Sequence, residues 1–453
     1  MPGRIGIEVA EREHFAWLKD LIIEKQEPEL HHLTTRQAAI ARAMAGFVRP
    51  WRDHYIAYET TPAIDSYFED LGILHARTLL GQDSFPGHAL FGGHEFNLYR
   101  ATAGILAGIA LKHRNFCYAL LNKQPEIEPR NIFAIPRPVE DMIQDFAFVL
   151  GVDGAMARQA LETLTLTVDN KSHHCASSSA GYFAPLITVG REHVLLSTLG
   201  CLDSPFYFML GELRRRYRAD WDKATNLREE VFRRELYQLF PLPHMLEIQR
   251  SIMVRANGKT VTDIDALVFD RNAGVLGLFQ LKWQDPFGGS LRQRASRKKN
   301  FFGGANGWVE GVDQWIRNRD LAEIGQALGM KRTDASRIRQ VRLFVIGRNF
   351  SNFSGNDIPD ERAAWGLWPQ VLRLVHDKPG NPNPVDALFR ALKEDAPALG
   401  SLTWTSIDQT RIHLKGKTIT LVLQPHFIIQ STAFRPASVV TAACIGLPSS
   451  TPL

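Results

Sequence analysis

Residues 262–283 read TDIDALVFDRNAGVLGLFQLKW. Two runs of aliphatic, β-branched and aromatic residues flank Asn272-Ala273-Gly274, a turn signal, so the stretch reads as a hairpin of two antiparallel strands. Side chains alternate faces along a strand, which places Gln280 and Lys282 on one side and Leu281 on the other. Asp263 and Asp265 open the first strand and share a side for the same reason. Asp265 precedes Gln280 by 15 residues, and a turn near Asn272 brings the two together. An aspartate, an amide and an ammonium are therefore expected at one spot.

The surroundings extend the pattern. Asp222 to Phe240 is an amphipathic helix with Leu227, Val231, Leu236 and Leu239 near one face, stopped by Pro241 and Pro243. Leu246 to Arg255 reads as a strand and Gly258 as a turn. After the hairpin come a basic loop, a helix from about Asn306 to Ala327, and a strand over Val341 to Ile346. The order helix, three-strand meander, helix, strand makes a compact α/β unit over 215–350. Residues 1–214 read as a mostly helical N-terminal region with a small β element around Gly190. In it, Leu33 to Phe47 is a helix with Thr34 and Thr35 as candidate caps, and Gln124 to Pro138 reads as a linker. Residues 351–453 form a small C-terminal α/β region: Ala363 to His376 and Pro384 to Leu392 read as helices and Thr410 to Leu423 as a hairpin. The Ser/Pro-rich tail from Ser431 is expected to be partly disordered.

Composition sets the outer bounds. The chain has 453 residues, 45% hydrophobic and 22% charged, which fits two or three globular domains and excludes disordered, collagen-like and coiled-coil classes. A net charge of +5 permits a nucleic-acid partner without requiring one. Cys117, Cys175, Cys201 and Cys444 lie far apart, too sparse for a disulfide scaffold, so a reducing cytoplasmic compartment is expected. The N-terminus carries charges where a signal peptide needs an apolar core. The most apolar stretch, Ala101 to Leu111, falls short of the roughly 20 residues a spanning helix needs.

The residue types at the hairpin suit metal-assisted phosphodiester hydrolysis. Asp265 and the Gln280 side-chain oxygen are hard ligands for Mg²⁺ or Mn²⁺, and the Leu281 carbonyl adds a third. Such a metal polarises a scissile phosphate and acidifies a bound water. Lys282 then holds that water and stabilises the charge growing on the phosphate oxygens.

On the order of elements, and on Asp265 with Gln280-x-Lys282, the sequence resembles the PD-(D/E)xK nuclease superfamily, the restriction-endonuclease-like fold. The resemblance covers only about residues 215–350. It implies a further acidic residue on the helix before the sheet, for which Glu229 or Glu230 in NLREEVFRRELYQLF occupies the matching place, with Glu229 slightly favoured. Asp263 is then an accessory acid. Gln280 stands where the usual motif has Glu, a variant that recurs in Mrr-like branches; it removes one negative charge and weakens metal affinity. The implied activity is a metal-dependent nuclease, with DNA the expected substrate and a role in defence, restriction or repair. The alternative is a nuclease-fold protein without catalysis, a nucleic-acid-binding or scaffold module. The N-terminal region would then recognise a substrate or partner, or form a homo-oligomer.

Residues 290–304, SLRQRASRKKNFFGG, place Arg292, Arg294, Arg297, Lys298 and Lys299 just after the candidate metal strand, where they are expected to grip backbone phosphates. Phe301 and Phe302 either stack on bases or belong to the core. A second basic stretch, Lys331 to Arg342, would extend the track. His173-His174-Cys175 matches no zinc spacing and reads as loop or core, though a hydrolase using Cys175 is an alternative. His88, His94 and Glu95 form no HExxH motif, and the Gly303 to Gly307 run reads as a loop without the lysine and hydroxyl of a nucleotide-binding loop.

Overall fold

The strand Val275–Lys282 is the centre of the molecule's main sheet. The computed structural model describes residues 12–396, apart from 53, 128–129, 177–182, 257, 286–290, 354–357 and 379, together with the backbone of 408–414 and 417–423. Among the described residues the chain is a mixed α and β structure of fifteen helices and several small sheets.

The main sheet runs, edge to edge, through the strands 363–367, 340–347, 275–282, 266–270 and 245–247. Strand 275–282 pairs antiparallel with 266–270 through the expected turn, where Gly274 takes φ +71°, and parallel with 340–347 on its other side. Parallel neighbours need both faces covered, which explains the near-continuous apolar run in 275–281. On one face Leu276, Leu278, Leu343 and Val345 pack against Phe301, Trp308, Val309 and Val312 of the helix Leu291–Arg317. On the other face Phe279, Leu281, Phe344 and Ile346 meet Phe232 and Leu236 of the helix Arg218–Tyr237, together with Val371 and Leu388 from helices Trp368–His376 and Pro384–Glu394.

Several expectations change. Residues 363–367, read as the start of a helix, are a buried strand parallel to 340–347. The sheet therefore continues past 350, and the boundary drawn there cuts through one core. The stretch 246–255 is two short strands, 245–247 and 252–256, and the second pairs with Lys259–Ile264 in a separate hairpin. The basic segment and the glycine run are not loops but the first turns of the Leu291–Arg317 helix. Glycine weakens a helix interior by ~1 kcal/mol each, but burying Phe301, Phe302 and Trp308 outweighs that cost. Thr34 and Thr35 are not caps, because their helix begins at Glu27; their hydroxyls bond back to the carbonyls of Leu30 and His32.

The N-terminal region is helical as expected, with a four-stranded sheet ordered 134–138, 193–197, 186–189, 165–166; its first strand occupies part of the presumed linker. Helices Pro62–Arg77 and Phe96–Lys123 approach so closely at Gly72, Gly104 and Gly108 that a Cβ on Gly72 or Gly108 would overlap the opposing backbone. This region is bolted to the main sheet by two buried arginines. Arg228 donates to the Ser84 carbonyl at 2.7 Å and to Asp285 at 2.7 Å, with its guanidinium 3.9 Å from the centre of the Phe85 ring. Arg348 donates to Asp83 at 2.5 Å and to Glu235, inside a box of Phe232, Trp283 and Trp368. Strands 408–414 and 417–423 pair antiparallel, as expected of a hairpin. The tail from Ser431 and Cys444 lie outside the described residues.

Candidate active site at the bulged hairpin

Ile252 pairs with Ile264, and Glu247 pairs with Val268. Residues 248–251 thus stand unpaired opposite only 265–267, one extra residue on the first side, and this bulge-like gap separates the two sheets at Asp265, while a further register shift lies between Val254 and Arg255. The bulge leaves backbone groups that need partners, and the Arg218–Tyr237 helix supplies them. Arg233 Nε donates to the Asp265 carbonyl, while the Tyr237 hydroxyl donates to the Ile248 carbonyl at 2.6 Å and accepts from the Leu267 N–H at 3.2 Å. Trp308 Nε1 holds the Asp263 carbonyl at 2.6 Å from the other face.

Asp265 is 3% exposed. Its own N–H donates to the Phe279 carbonyl at 3.1 Å, which fixes its position across from Gln280. Its Oδ2 accepts from the Leu281 N–H at 2.7 Å and from the Gln280 amide nitrogen. Burial raises its pKa to about 6; the Leu281 N–H opposes this, the charge of Asp263 adds to it, Lys282 opposes it, and Glu229 adds to it. The structure thus places Asp265, Gln280 and the Leu281 peptide edge in direct contact, with Asp263, Lys282 and Glu229 within electrostatic reach. Glu230, the alternative on the helix, instead pairs with Arg234 at 2.9 Å with both side chains mostly exposed. Lys282 is half-buried, and its ammonium makes no hydrogen bond or ion pair with any described residue. Its carbonyl accepts from the Arg348 N–H at 2.8 Å.

One detail departs from the expected ligand set. Gln280 turns its nitrogen, not its oxygen, toward Asp265. Reversing the amide would set two oxygens against each other, an arrangement that repels unless a cation lies between them. Among the described residues no three His, Cys, Asp or Glu side chains converge closely enough to hold a metal ion. The donor chemistry is still hard oxygen throughout: one buried carboxylate poorly satisfied as an anion, one amide that can turn, and two flanking acids.

The structure alters the basic track at Lys298. Lys298 is 8% exposed, so it presents little accessible charge to a surface phosphate chain. The Arg297 guanidinium sits over the Phe350 ring at 4.7 Å. Lys299 is exposed, as the track requires, while the side chains of Arg292 and Arg294 lie outside those described. Phe301 and Phe302 are core residues. The stretch 331–342 lies toward the other end of the sheet: Gly277 is paired with Arg342 and Lys282 with Gly347, so its nearest strand residue is ~17 Å along the sheet from Lys282 at ~3.3 Å per residue.

The other motifs lie in the N-terminal region. His174 is buried, 3.1 Å from Glu212 and stacked on Phe208 with centroids 3.9 Å apart, while Cys175 is exposed. His94 bonds Gln159 at 3.2 Å. Sequence reasoning missed Arg233 and Tyr237, which support the bulge. The signal was there: both flank the apolar positions Phe232 and Leu236 on the buried stripe, where a polar side chain needs a partner.

Comparison with family models, with curated proteins and with solved structures gives no significant match for this chain. No helix among the described residues is long and apolar enough to cross a membrane.

Proposed function

We propose that residues from Arg218 through the main sheet form a restriction-endonuclease-like core, and that the protein is a metal-dependent nuclease acting on nucleic acid, with DNA the expected substrate. The observation that carries this reading is the buried Asp265 carboxylate, bonded to Gln280 and to the Leu281 N–H, on the strand beside the unengaged ammonium of Lys282. Asp265 and a turned Gln280 amide would hold Mg²⁺ or Mn²⁺, with the Leu281 carbonyl, which leaves the strand on the same side as its N–H, as a third donor. A bound ion would supply Lewis-acid polarisation of the phosphate. Lys282 balances negative charge on the phosphate oxygens and positions a water, while Glu229, exposed and within electrostatic reach of Asp265, accepts its proton.

A second reading has its own observation. The Gln280 amide already donates to Asp265 without an ion, and among the described residues three acidic or imidazole ligands do not converge. That favours a nuclease-fold module that binds nucleic acid without cutting it.

Incubating the full chain with plasmid, linear and single-stranded DNA and RNA, in Mg²⁺, Mn²⁺ or EDTA, separates the two. Metal-dependent cleavage that Lys282→Ala and Asp265→Ala abolish and Glu230→Gln spares is the nuclease result. Binding with no cleavage under any metal selects the module. Neither binding nor cleavage discards both.

A further inference from the structure

Strands 275–282, 340–347 and 363–367 are parallel, so their carboxyl ends share one edge of the sheet. In open α/β sheets, ligands bind outside that edge. Arg348, Asn349 and Trp368, the residues immediately after two of these strands, line a cleft of about 610 Å³ together with the helix Arg12–Lys25. Arg348 continues the alternation of Phe344 and Ile346, whereas Lys282 alternates with Leu281 onto the opposite face. The cleft and the Asp265 site therefore lie on opposite sides of the sheet's edge.

The chemistry of the cleft is specific. The Arg12–Lys25 helix presents Phe15, Leu18, Lys19, Ile22 and Lys25 to it, one helical face alternating apolar and cationic residues. Lys19 and Lys25, with Arg77 from the facing helix, make no hydrogen bond or ion pair with any described residue. The two acids that line the cleft, Asp83 and Glu235, are both taken up by Arg348. With Arg348 the cleft is lined by four cations against two acids, an excess of positive charge, and both acids are already bonded to Arg348. The side-chain amides of Gln82 and Gln238 likewise make no hydrogen bond among the described residues, although each offers a donor and an acceptor. The volume far exceeds an inorganic anion and falls in the range of small-molecule sites.

We propose that this cleft binds a nucleoside phosphate, either a free nucleotide or the phosphorylated end of a nucleic-acid strand. Lys19, Lys25 and Arg77 meet the phosphate. Gln82 and Gln238 meet the edge of the base, and Phe15 and Ile22 its face. The proposal does not depend on the Asp265 site being catalytic.

Isothermal titration calorimetry on the full chain in EDTA tests it, with AMP, CMP, GMP and UMP, their nucleosides, inorganic phosphate, and oligothymidylate with or without a 5′ phosphate. At least one mononucleotide or the phosphorylated oligomer binds, about tenfold or more tighter than nucleoside or phosphate alone, since each charge-assisted contact is worth that much. The double variant Lys19→Glu, Arg77→Glu and, separately, Gln82→Ala weaken binding about tenfold with unchanged urea midpoints. Asp265→Asn leaves it unchanged. Tighter binding of the phosphorylated oligomer identifies a strand end; binding of mononucleotides alone identifies a free nucleotide. No binding by any of these ligands, binding no tighter than phosphate, insensitivity to both cleft variants, or loss in Asp265→Asn overturns the proposal.

Discussion

Replacing Asp265 with Asn should stabilise the protein at alkaline pH and do little in acid. The carboxyl titrates at about 6 in the folded chain against an ordinary 3.8. The folded state therefore holds this proton more tightly than the unfolded state. Stability from this group is full below pH 3.8, falls as pH rises toward 6, and reaches its full penalty above that. The gap between about 6 and 3.8 corresponds to ~3 kcal/mol. Asn carries no charge, keeps the shape, and still accepts the Leu281 N–H. Its advantage over Asp should thus grow by about 2–3 kcal/mol between pH 4 and pH 8. Urea unfolding of both proteins at the two pH values, in EDTA, measures that difference directly, and hydrogen-bond changes common to both pH values cancel. Adding Mg²⁺ at pH 8 should raise the midpoint of the parent and not of the variant, because only the parent has a buried anion to neutralise. An advantage equal at both pH values, or one that grows toward acid, would refute the account of a carboxylate held at a cost for a cation.

Two packing predictions lie far from that site. Gly108→Ala drives a methyl into the Phe68 carbonyl and should destabilise by about 3 kcal/mol, whereas Gly303→Ala meets only open space and should stabilise by about 0.5–1 kcal/mol; thermal melts of the two compare them. Glu212 is fully buried, and burial alone would push its pKa up, but hydrogen bonds from Arg215, His174 and Arg216 outweigh this and hold it below the usual carboxylate range. Its stabilisation is therefore present at neutral pH and lost only as pH falls through that lowered value. Glu212→Ala should cost ~3–5 kcal/mol in urea unfolding at pH 7, because three polar side chains lose their acceptor.

What the sequence revealed, and what it hid, divides along physical lines. The 266–282 hairpin was legible because its turn chemistry and apolar runs are local, and the positions of Asp265, Gln280 and Lys282 followed from them. The choice of Glu229 over Glu230 needed the helix's rotation against the sheet. The bulge was invisible, since it arises from a mismatch between residues 248–251 and 265–267 on different strands. Ala363 to Leu367 hid as a strand because, covered on both faces, it has no alternation and its small residues also suit a helix. The basic turns of the Leu291–Arg317 helix were hidden by their glycines, which tertiary burial overrides. The direction in which the Gln280 amide turns depends on the Asp265 carboxylate opposite and is written in neither segment alone.

The arginine junctions bear on how the molecule can be dissected. A truncation starting near residue 215, the natural cut suggested by composition, would strip Arg228 of Ser84 and Phe85, and Arg348 of Asp83. Two cations would be left facing aromatic walls, one of them hydrogen-bonded at its backbone to the residue that carries the Lys282 ammonium. The amino-terminal half is thus part of the scaffold that holds the sheet's carboxyl edge, and an isolated carboxy-terminal fragment that proves inert would say little about the intact protein.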